Sequence, residues 1–272
     1  MTRNSGNIAR GTLSPLARAL AEIAHDAGEL ILRHYDAGVE TRRKIDRSPV
    51  TIADEEAETL IVKHLAKLMP HAAVIAEEAI SAGHKPNLGK SFFLVDPLDG
   101  TKEFLAGNGE FTVNIALIED NIPCAGVVHA PAKGRMFFGS LEGGAFEVHA
   151  PQGAAFDLAQ AKPIHARAAP PDGMVAVASR SHRDHKTEEY LAHYKIARFI
   201  TIGSSLKFCL VAAGEADIYP RHGRTMEWDS AAGHAVLAAA GGSVTRLDGT
   251  PLIYGNVEAG FANPHFVARG LT

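Results

Sequence analysis

The sequence predicts an α/β fold of the mixed α+β kind, and three observations carry that expectation. A chain of 272 residues, 46% of them hydrophobic, can bury a sizeable core as one large domain or two closely packed halves. Between Phe111 and Val148, short apolar runs follow one another across Asp-Asn, Pro and Gly turns, the pattern of an antiparallel sheet. From Met174 onwards, runs of strand character alternate with helical ones.

The elements follow in order. Ser14 before Pro15 reads as a helix cap and first helical position, and Leu16, Leu20, Ile23, Ala27 and Leu30 recur at helical spacing. A polar, basic connection, Gly38 to Arg47, leads to Thr51-Ile52-Ala53-Asp54, which has capping-box spacing ahead of Ala57, Leu60, Ile61, Leu65 and Leu68. Asp54 therefore belongs to a first helical turn, whose exposed amides it can satisfy. Strands are expected at Val74-Ile75, Ser91 to Val95, Phe111 to Ile118, Ala125 to Val128, Arg135 to Gly139 and Ala145 to Val148. The Pro- and Ala-rich stretch Ala161 to Gly173 marks the expected boundary between a half made of residues 1–165 and a half made of residues 166–272. Beyond it come strands at Met174 to Ala178, Arg198 to Ile202, Asp217 to Tyr219, Ser243 to Leu247 and His265 to Ala268, with helices at Thr187 to Tyr194, Ser204 to Ala213 and Asp229 to Ala240.

Composition narrows the function classes. The formal net charge is −4 with acids and bases scattered, so a nucleic-acid polymer is not an expected partner, although a small anion could still meet local charges. Cys124 and Cys209 lie far apart with no Cys-x-x-Cys pattern, which points away from a disulfide framework or a zinc site. The polar Met1 to Gly11 lacks the apolar core of a signal peptide and no window is a membrane-spanning run, so a cytoplasmic protein is expected, with peripheral contact to the inner membrane's cytoplasmic face left open.

The chemistry concentrates in Asp96-Pro97-Leu98-Asp99-Gly100-Thr101, directly after the apolar run Ser91 to Val95. Pro97 cannot donate to a sheet ladder and Gly100 permits unusual backbone shapes, so a turn is expected that gathers polar groups at one point. Asp96 and Asp99 with the Leu98 carbonyl form an all-oxygen donor set suited to magnesium, manganese or calcium rather than zinc. Two further acidic clusters end or open elements: Glu77-Glu78 after Val74-Ile75, and Glu227-Trp228-Asp229 at the start of an alanine-rich helix. Three such clusters suggest one site.

Together Glu77-Glu78, DPLDGTKEF (Asp96 to Phe104) and WDSAAGHAV (Trp228 to Val236) resemble the magnesium-dependent, lithium-sensitive inositol monophosphatase superfamily. SPVTIAD (Ser48 to Asp54), NGEFTVNIALI (Asn108 to Ile118), SRSH (Ser179 to His182) and GSSLKFCLVAAGEADIYPR (Gly203 to Arg221) are similar to its bacterial CysQ-type 3′(2′),5′-bisphosphate nucleotidase branch. The resemblance runs from about Leu16 to Phe266 and implies a layered αβαβα sandwich. It also implies two or three Mg2+ per active site, with Glu77, Asp96 and the Leu98 carbonyl on one ion and Asp96, Asp99 and Asp229 on another. Asp54 would orient the Thr101 hydroxyl to position the attacking water, which with Glu77 completes the catalytic set, while Gly100, Thr101 and Asp229 contact the substrate.

The metal motifs alone do not separate a nucleotide phosphatase from a sugar phosphatase, since both present the same phosphoryl group. A second phosphate and a base need further cations and donors, and His182, Ser204, Lys207 and Arg221 match substrate-contacting positions of the nucleotidase branch. The implied reaction is hydrolysis of adenosine 3′,5′-bisphosphate to AMP and phosphate, with 3′-phosphoadenylyl sulfate as a further substrate, in the recycling arm of sulfate assimilation. The alternatives are an inositol or fructose-1,6-bisphosphatase-like sugar phosphatase and, from another class, a catalytically idle metal- or nucleotide-binding protein.

Overall fold

The computed structural model describes residues 12–38, 41–43, 49–84, 87–179 and 185–271. Helix α1 (Pro15–Ala37) starts where expected: the Ser14 hydroxyl accepts the Ala17 N–H at 3.1 Å and Pro15 occupies the first turn. Two three-residue strands, β1 (Thr41–Arg43) and β2 (Pro49–Thr51), pair antiparallel within what reads in the sequence as an irregular connection. Helix α2 (Ile52–Leu68) follows with its capping box formed.

A seven-stranded sheet comes next along the chain, from β3 (Ala73–Ala76), β4 (Ser91–Asp99), β5 (Thr112–Glu119), β6 (Ile122–Ala130), β7 (Arg135–Ser140), β8 (Gly144–His149) and β9 (Lys162–Ile164). Spatial order equals chain order. Only β3 and β4 are parallel, and the remaining pairs are antiparallel. Short helices α3 (Glu77–Ser81) and α4 (Thr101–Leu105) open at the C-terminal ends of β3 and β4. The second sheet has order β11-β10-β12-β14-β13, built from β10 (Met174–Ser179), β11 (Ile196–Ile202), β12 (Ile218–Arg221), β13 (Ser243–Arg246) and β14 (Phe266–Arg269). Helices α5 (His185–Leu191), α6 (Leu206–Ala212) and α7 (Glu227–Ala239) lie between its strands in sequence.

Side-chain alternation along β4 explains the layering. Phe93 and Val95 join Leu20, Ile31, Ile61 and Leu65 of α1 and α2 in one core, while Phe92 and Leu94 join Phe208, Trp228 and Val236 of α6 and α7 in the other. A strand buried on both faces reads as the continuous apolar run seen in the sequence. The second core also takes in Val175, Val177, Tyr219 and Phe266, so α6 and α7 lie between the two sheets. On the far face of the smaller sheet, Leu191 of α5 packs with Ala176, Ile218 and Val267. The result is the expected αβαβα sandwich. Among the described residues, no helix is long and apolar enough to cross a membrane.

One local expectation changes. The chain does not leave the sheet at Asp96: β4 runs on to Asp99, with a register shift between Asp96 and Asp99 against β5. Because β3 pairs with β4 only as far as Val95, Pro97 sits where no ladder donor is required, at an irregularity on a free edge. The sharp turn comes later, at Gly100, whose φ of 96° lies in the left-handed region and whose missing Cβ would sit 3.1 Å from the Glu110 carbonyl.

The central helix α7 is held close to the larger sheet by small residues. A Cβ at Gly126 of β6 would meet the Ala232 carbonyl and the Ala235 Cβ, both at 2.9 Å, and one at Gly233 would meet the Phe208 ring at 2.6 Å. Gly126→Val must therefore push α7 outward, and overpacking of this kind costs roughly 1–3 kcal/mol. Thermal unfolding should show a clearly lowered Tm for this variant, whereas Gly89→Ala, whose Cβ meets only the Ser91 carbonyl at 3.8 Å, should unfold like the wild type.

Candidate active site

Four helix starts meet at one place. Asp54 is in the first turn of α2, Glu77 opens α3, Thr101 opens α4 and Asp229 is in the first turn of α7. Helix starts leave N–H groups unpartnered and carry partial positive charge, so acids gathered here are partly offset by the backbone.

The sequence-predicted acids come together to different degrees. Ligand oxygens of Glu77, Asp96 and Asp229 lie within 4.8 Å of one another, a set able to hold a cation, and Asp99 stands outside that triad. Asp96 is buried and its Oδ1 accepts the Leu98 N–H at 3.0 Å, which orients the carboxylate and turns the Leu98 backbone. Asp229 Oδ2 accepts the Met226 N–H at 2.8 Å, leaving its other oxygen to the cluster. Asp99 Oδ2 accepts from the Ser205 hydroxyl at 2.9 Å. Asp99 and Asp229 keep part of their surface open to the cavity yet sit deep in protein. Burial pushes Asp229 well above the usual carboxylate range, and the charges of Asp99 and Glu77 add to the rise. Burial raises Asp99 as well, against the pull of Lys207 and the Ser205 hydrogen bond.

Asp54 is buried and uses both oxygens. Its Oδ2 accepts the Thr51 N–H at 2.8 Å and the Thr51 hydroxyl at 2.7 Å, while the Thr101 hydroxyl lies 3.3 Å from its Oδ1 and 3.4 Å from the Leu98 carbonyl. A pairing between residues 47 positions apart is thus formed by the convergence of α2 and α4.

Cations line the same cavity. Glu77, Asp99, Gly100, Thr101, Ser204, Lys207, Arg221 and Asp229 line one cavity of about 260 Å³. Lys207 and Arg221 are buried rather than splayed into solvent. The Lys207 ammonium donates to the Ser204 carbonyl and lies 5.5 Å from the centre of the Tyr219 ring. Burial lowers its pKa to about 8, with Asp99 opposing the fall. Arg221 donates to the Gly223 and Arg224 carbonyls at 3.2 and 2.9 Å, which braces the guanidinium at the cavity wall. Ser204 adopts a left-handed φ of 49°, and its buried hydroxyl finds no partner among the described residues. His182 lies outside the described residues.

Three positioning contacts escape sequence reasoning. Glu58, one turn after Asp54 on α2, accepts the Glu78 and Ala79 N–H groups at 2.7 and 2.9 Å and so fixes the start of α3. Glu110 accepts the Gly203 N–H at 2.8 Å, and Asn114 donates to Ser205 at 2.8 Å. The available signal was polarity in the wrong place: an acid on the buried stripe of α2 and an amide within the apolar run of β5.

The raised acids give a prediction with a definite sign. A carboxylate whose folded pKa exceeds its unfolded one destabilises the fold when ionised, so this cost is present at neutral and alkaline pH and is relieved as pH falls through the raised folded value. In the presence of chelator, Asp229→Asn should raise Tm at pH 8 by roughly 2–4 °C, with the gain shrinking towards pH 5, and should abolish most of the stabilisation that added Mg2+ confers. Scanning calorimetry with and without Mg2+ at the two pH values measures both effects.

Comparisons with known proteins identify the chain's relatives. The model of the inositol monophosphatase family matches residues 12–271. The 3′(2′),5′-bisphosphate nucleotidase CysQ of Salmonella typhimurium is 44% identical over 249 residues, covering 91% of this chain and 96% of that protein. Its counterpart from Buchnera aphidicola is 40% identical over 255 residues, covering 93% and 92%. The crystal structure of CysQ from Bacteroides thetaiotaomicron superposes with a TM-score of 0.78 at 36% identity, covering 94% of this chain and 97% of that one. With its metal-type acid cluster in place and its whole described length matched, the chain belongs to the inositol monophosphatase family and, within it, to the CysQ branch.

Proposed function

We propose that the protein is a magnesium-dependent 3′(2′),5′-bisphosphate nucleotidase that hydrolyses adenosine 3′,5′-bisphosphate to AMP and phosphate and also accepts 3′-phosphoadenylyl sulfate. The observation that carries the reading is that two buried cations, Lys207 and Arg221, line the same cavity as Glu77, Asp99 and Asp229. Lys207 and Arg221 feel the charges of Asp99 and Asp229, and once a cation neutralises those acids a monophosphate ester would leave the two side chains short of a negative partner. A substrate with a second phosphate supplies one, and burial makes such charge-assisted contacts strong.

The residues present fit Mg2+. The donor set is carboxylate and carbonyl oxygen throughout, and the protonation pull on Asp99 and Asp229 is what a cation would relieve. Glu77, Asp96 and the Leu98 carbonyl would hold one ion, and Asp96, Asp99 and Asp229 another. Bound Mg2+ supplies Lewis acidity towards the phosphoryl oxygens and lowers the pKa of water.

The chain's own groups do the rest. Asp54, clamped through Oδ2, presents Oδ1 to the Thr101 hydroxyl. A hydroxyl that donates to a carboxylate turns its lone pairs outward, where they accept a hydrogen bond from the attacking water and fix its direction; when the water gives up that proton, Thr101 passes its own to Asp54. Main-chain amides of Gly100 and Thr101, at the start of α4, face the transferring phosphoryl group. Lys207 and Arg221 bind the phosphate that is not cleaved, with Ser204 lining the same cavity, and thereby set the 3′ phosphate against the acids. Water adds to phosphorus and the P–O3′ bond breaks; the water's hydroxyl stays on the phosphate, and its other proton ends on the ribose oxygen, giving AMP and phosphate.

Phosphate release with Mg2+ from adenosine 3′,5′-bisphosphate, inositol 1-phosphate and fructose 1,6-bisphosphate tests the reading. The nucleotide should be the preferred substrate, preference for either other ester would replace this reading with a sugar phosphatase, and no release despite Mg2+ binding would mean an idle binder. Lys207→Met should lower kcat/KM on the bisphosphate about ten- to a hundredfold, the weight of a lost charge-assisted contact of roughly 1.5–3 kcal/mol, and nearly spare a simple monophosphate ester. Thr101→Val and Asp54→Asn should each remove most turnover, and the double variant should be little worse than the poorer single one, because groups acting as a unit are non-additive. Fully additive losses would reduce Asp54 to a helix cap.

A further inference from the structure

The geometry points to Ser205, together with Asn114, as the positioning device that sets the site's affinity for its cation by holding Asp99 and Asp229 to a common point. The inference rests on the cation-binding reading of the acids proposed above. Ser205 occupies the position before α6 at which a serine normally caps a helix, yet its side chain makes no cap hydrogen bond. Its hydroxyl turns the other way. Buried in the protein, Ser205 Oγ lies 2.9 Å from Asp99 Oδ2, 2.6 Å from the Asp229 carbonyl and 2.8 Å from Asn114 Nδ2.

The donor count decides how these contacts work. A carboxylate oxygen at that pKa-raised position and a backbone carbonyl are the two acceptors, and Ser205 has one hydrogen to divide between them. That hydrogen is available only if Asn114 presents its NH2 group and donates to the serine oxygen, as the 2.8 Å contact has it. Asn114 stands on β5 opposite Asp96, so the chain from Asn114 through Ser205 ties the middle of the large sheet to the end of β4 and the start of α7. These two element ends carry Asp99 and Asp229. The two acids belong to different elements, and Ser205 bonds the carboxylate of Asp99 and the backbone carbonyl of Asp229.

Partners that orient a metal-binding carboxylate typically change metal affinity ten- to a hundredfold when removed. The test is calorimetric titration of Mg2+ into metal-free wild type, Ser205→Ala, Asn114→Ala and the double variant, with thermal unfolding in chelator alongside. Ser205→Ala should weaken Mg2+ binding at least tenfold, Asn114→Ala should weaken it less, and the double variant should match Ser205→Ala, since the amide acts only through the hydroxyl. Unchanged Mg2+ affinity in Ser205→Ala, with or without a lower Tm in chelator, would make Ser205 a packing residue and overturn the inference while leaving the cation site standing. If Ser205→Ala does not fold, Asn114→Ala carries the test, and wild-type affinity there overturns the inference. Wild type that binds no Mg2+ overturns both this and the reading it rests on.

Discussion

Like charges must be held together here against their repulsion, and the rest of the structure follows from how that is done. Oxygens of Glu77, Asp96 and Asp229 come within 4.8 Å of one another, with Asp99 close enough to Asp229 to raise its pKa further. The acids come from three elements: Glu77 from the start of α3, Asp96 and Asp99 from the body and end of β4, and Asp229 from the first turn of α7. The helix starts soften the cost through their unpaired N–H groups, and individual hydrogen bonds take up one oxygen at a time. The Leu98 N–H takes one from Asp96, the Met226 N–H one from Asp229.

The sandwich makes such convergence rigid. An acid cluster on flexible loops would relax by spreading, but α7 is wedged between two sheets with glycine and alanine at its contacts, so its first turn has nowhere to go. Buried glutamates play the matching role for the loops around the cavity. Glu58, Glu110 and Glu227 each accept backbone N–H groups, from Glu78 and Ala79, from Gly203, and from Gly255 and Asn256. In this way the fold uses side-chain carboxylates as structural acceptors right beside those it keeps for chemistry.

Much of this was legible in the sequence because it is written in local patterns. Capping residues marked the starts of α1 and α2, apolar runs marked the strands of both sheets except β9, which falls in the stretch read as a boundary, and the acidic turn announced itself through Pro97 and Gly100. What local pattern could not supply was contact at long range. The Asp54–Thr101 pair was implied by resemblance alone, and Ser205, whose hydroxyl faces Asp99, carried no sequence signal of its own. The course of β4 past Asp96 was likewise invisible, because it depends on where β3 stops pairing rather than on any residue of the turn itself.

Asp54 divides its two oxygens between the start of α2 and the Thr101 hydroxyl. A lineage relieved of the need to hydrolyse anything would still be selected to keep this aspartate, because losing it frays a helix that buries part of the core. Retention of Asp54 is thus weak testimony to living chemistry, and Thr101, which has no such second duty in capping, is the position where disuse would first be recorded.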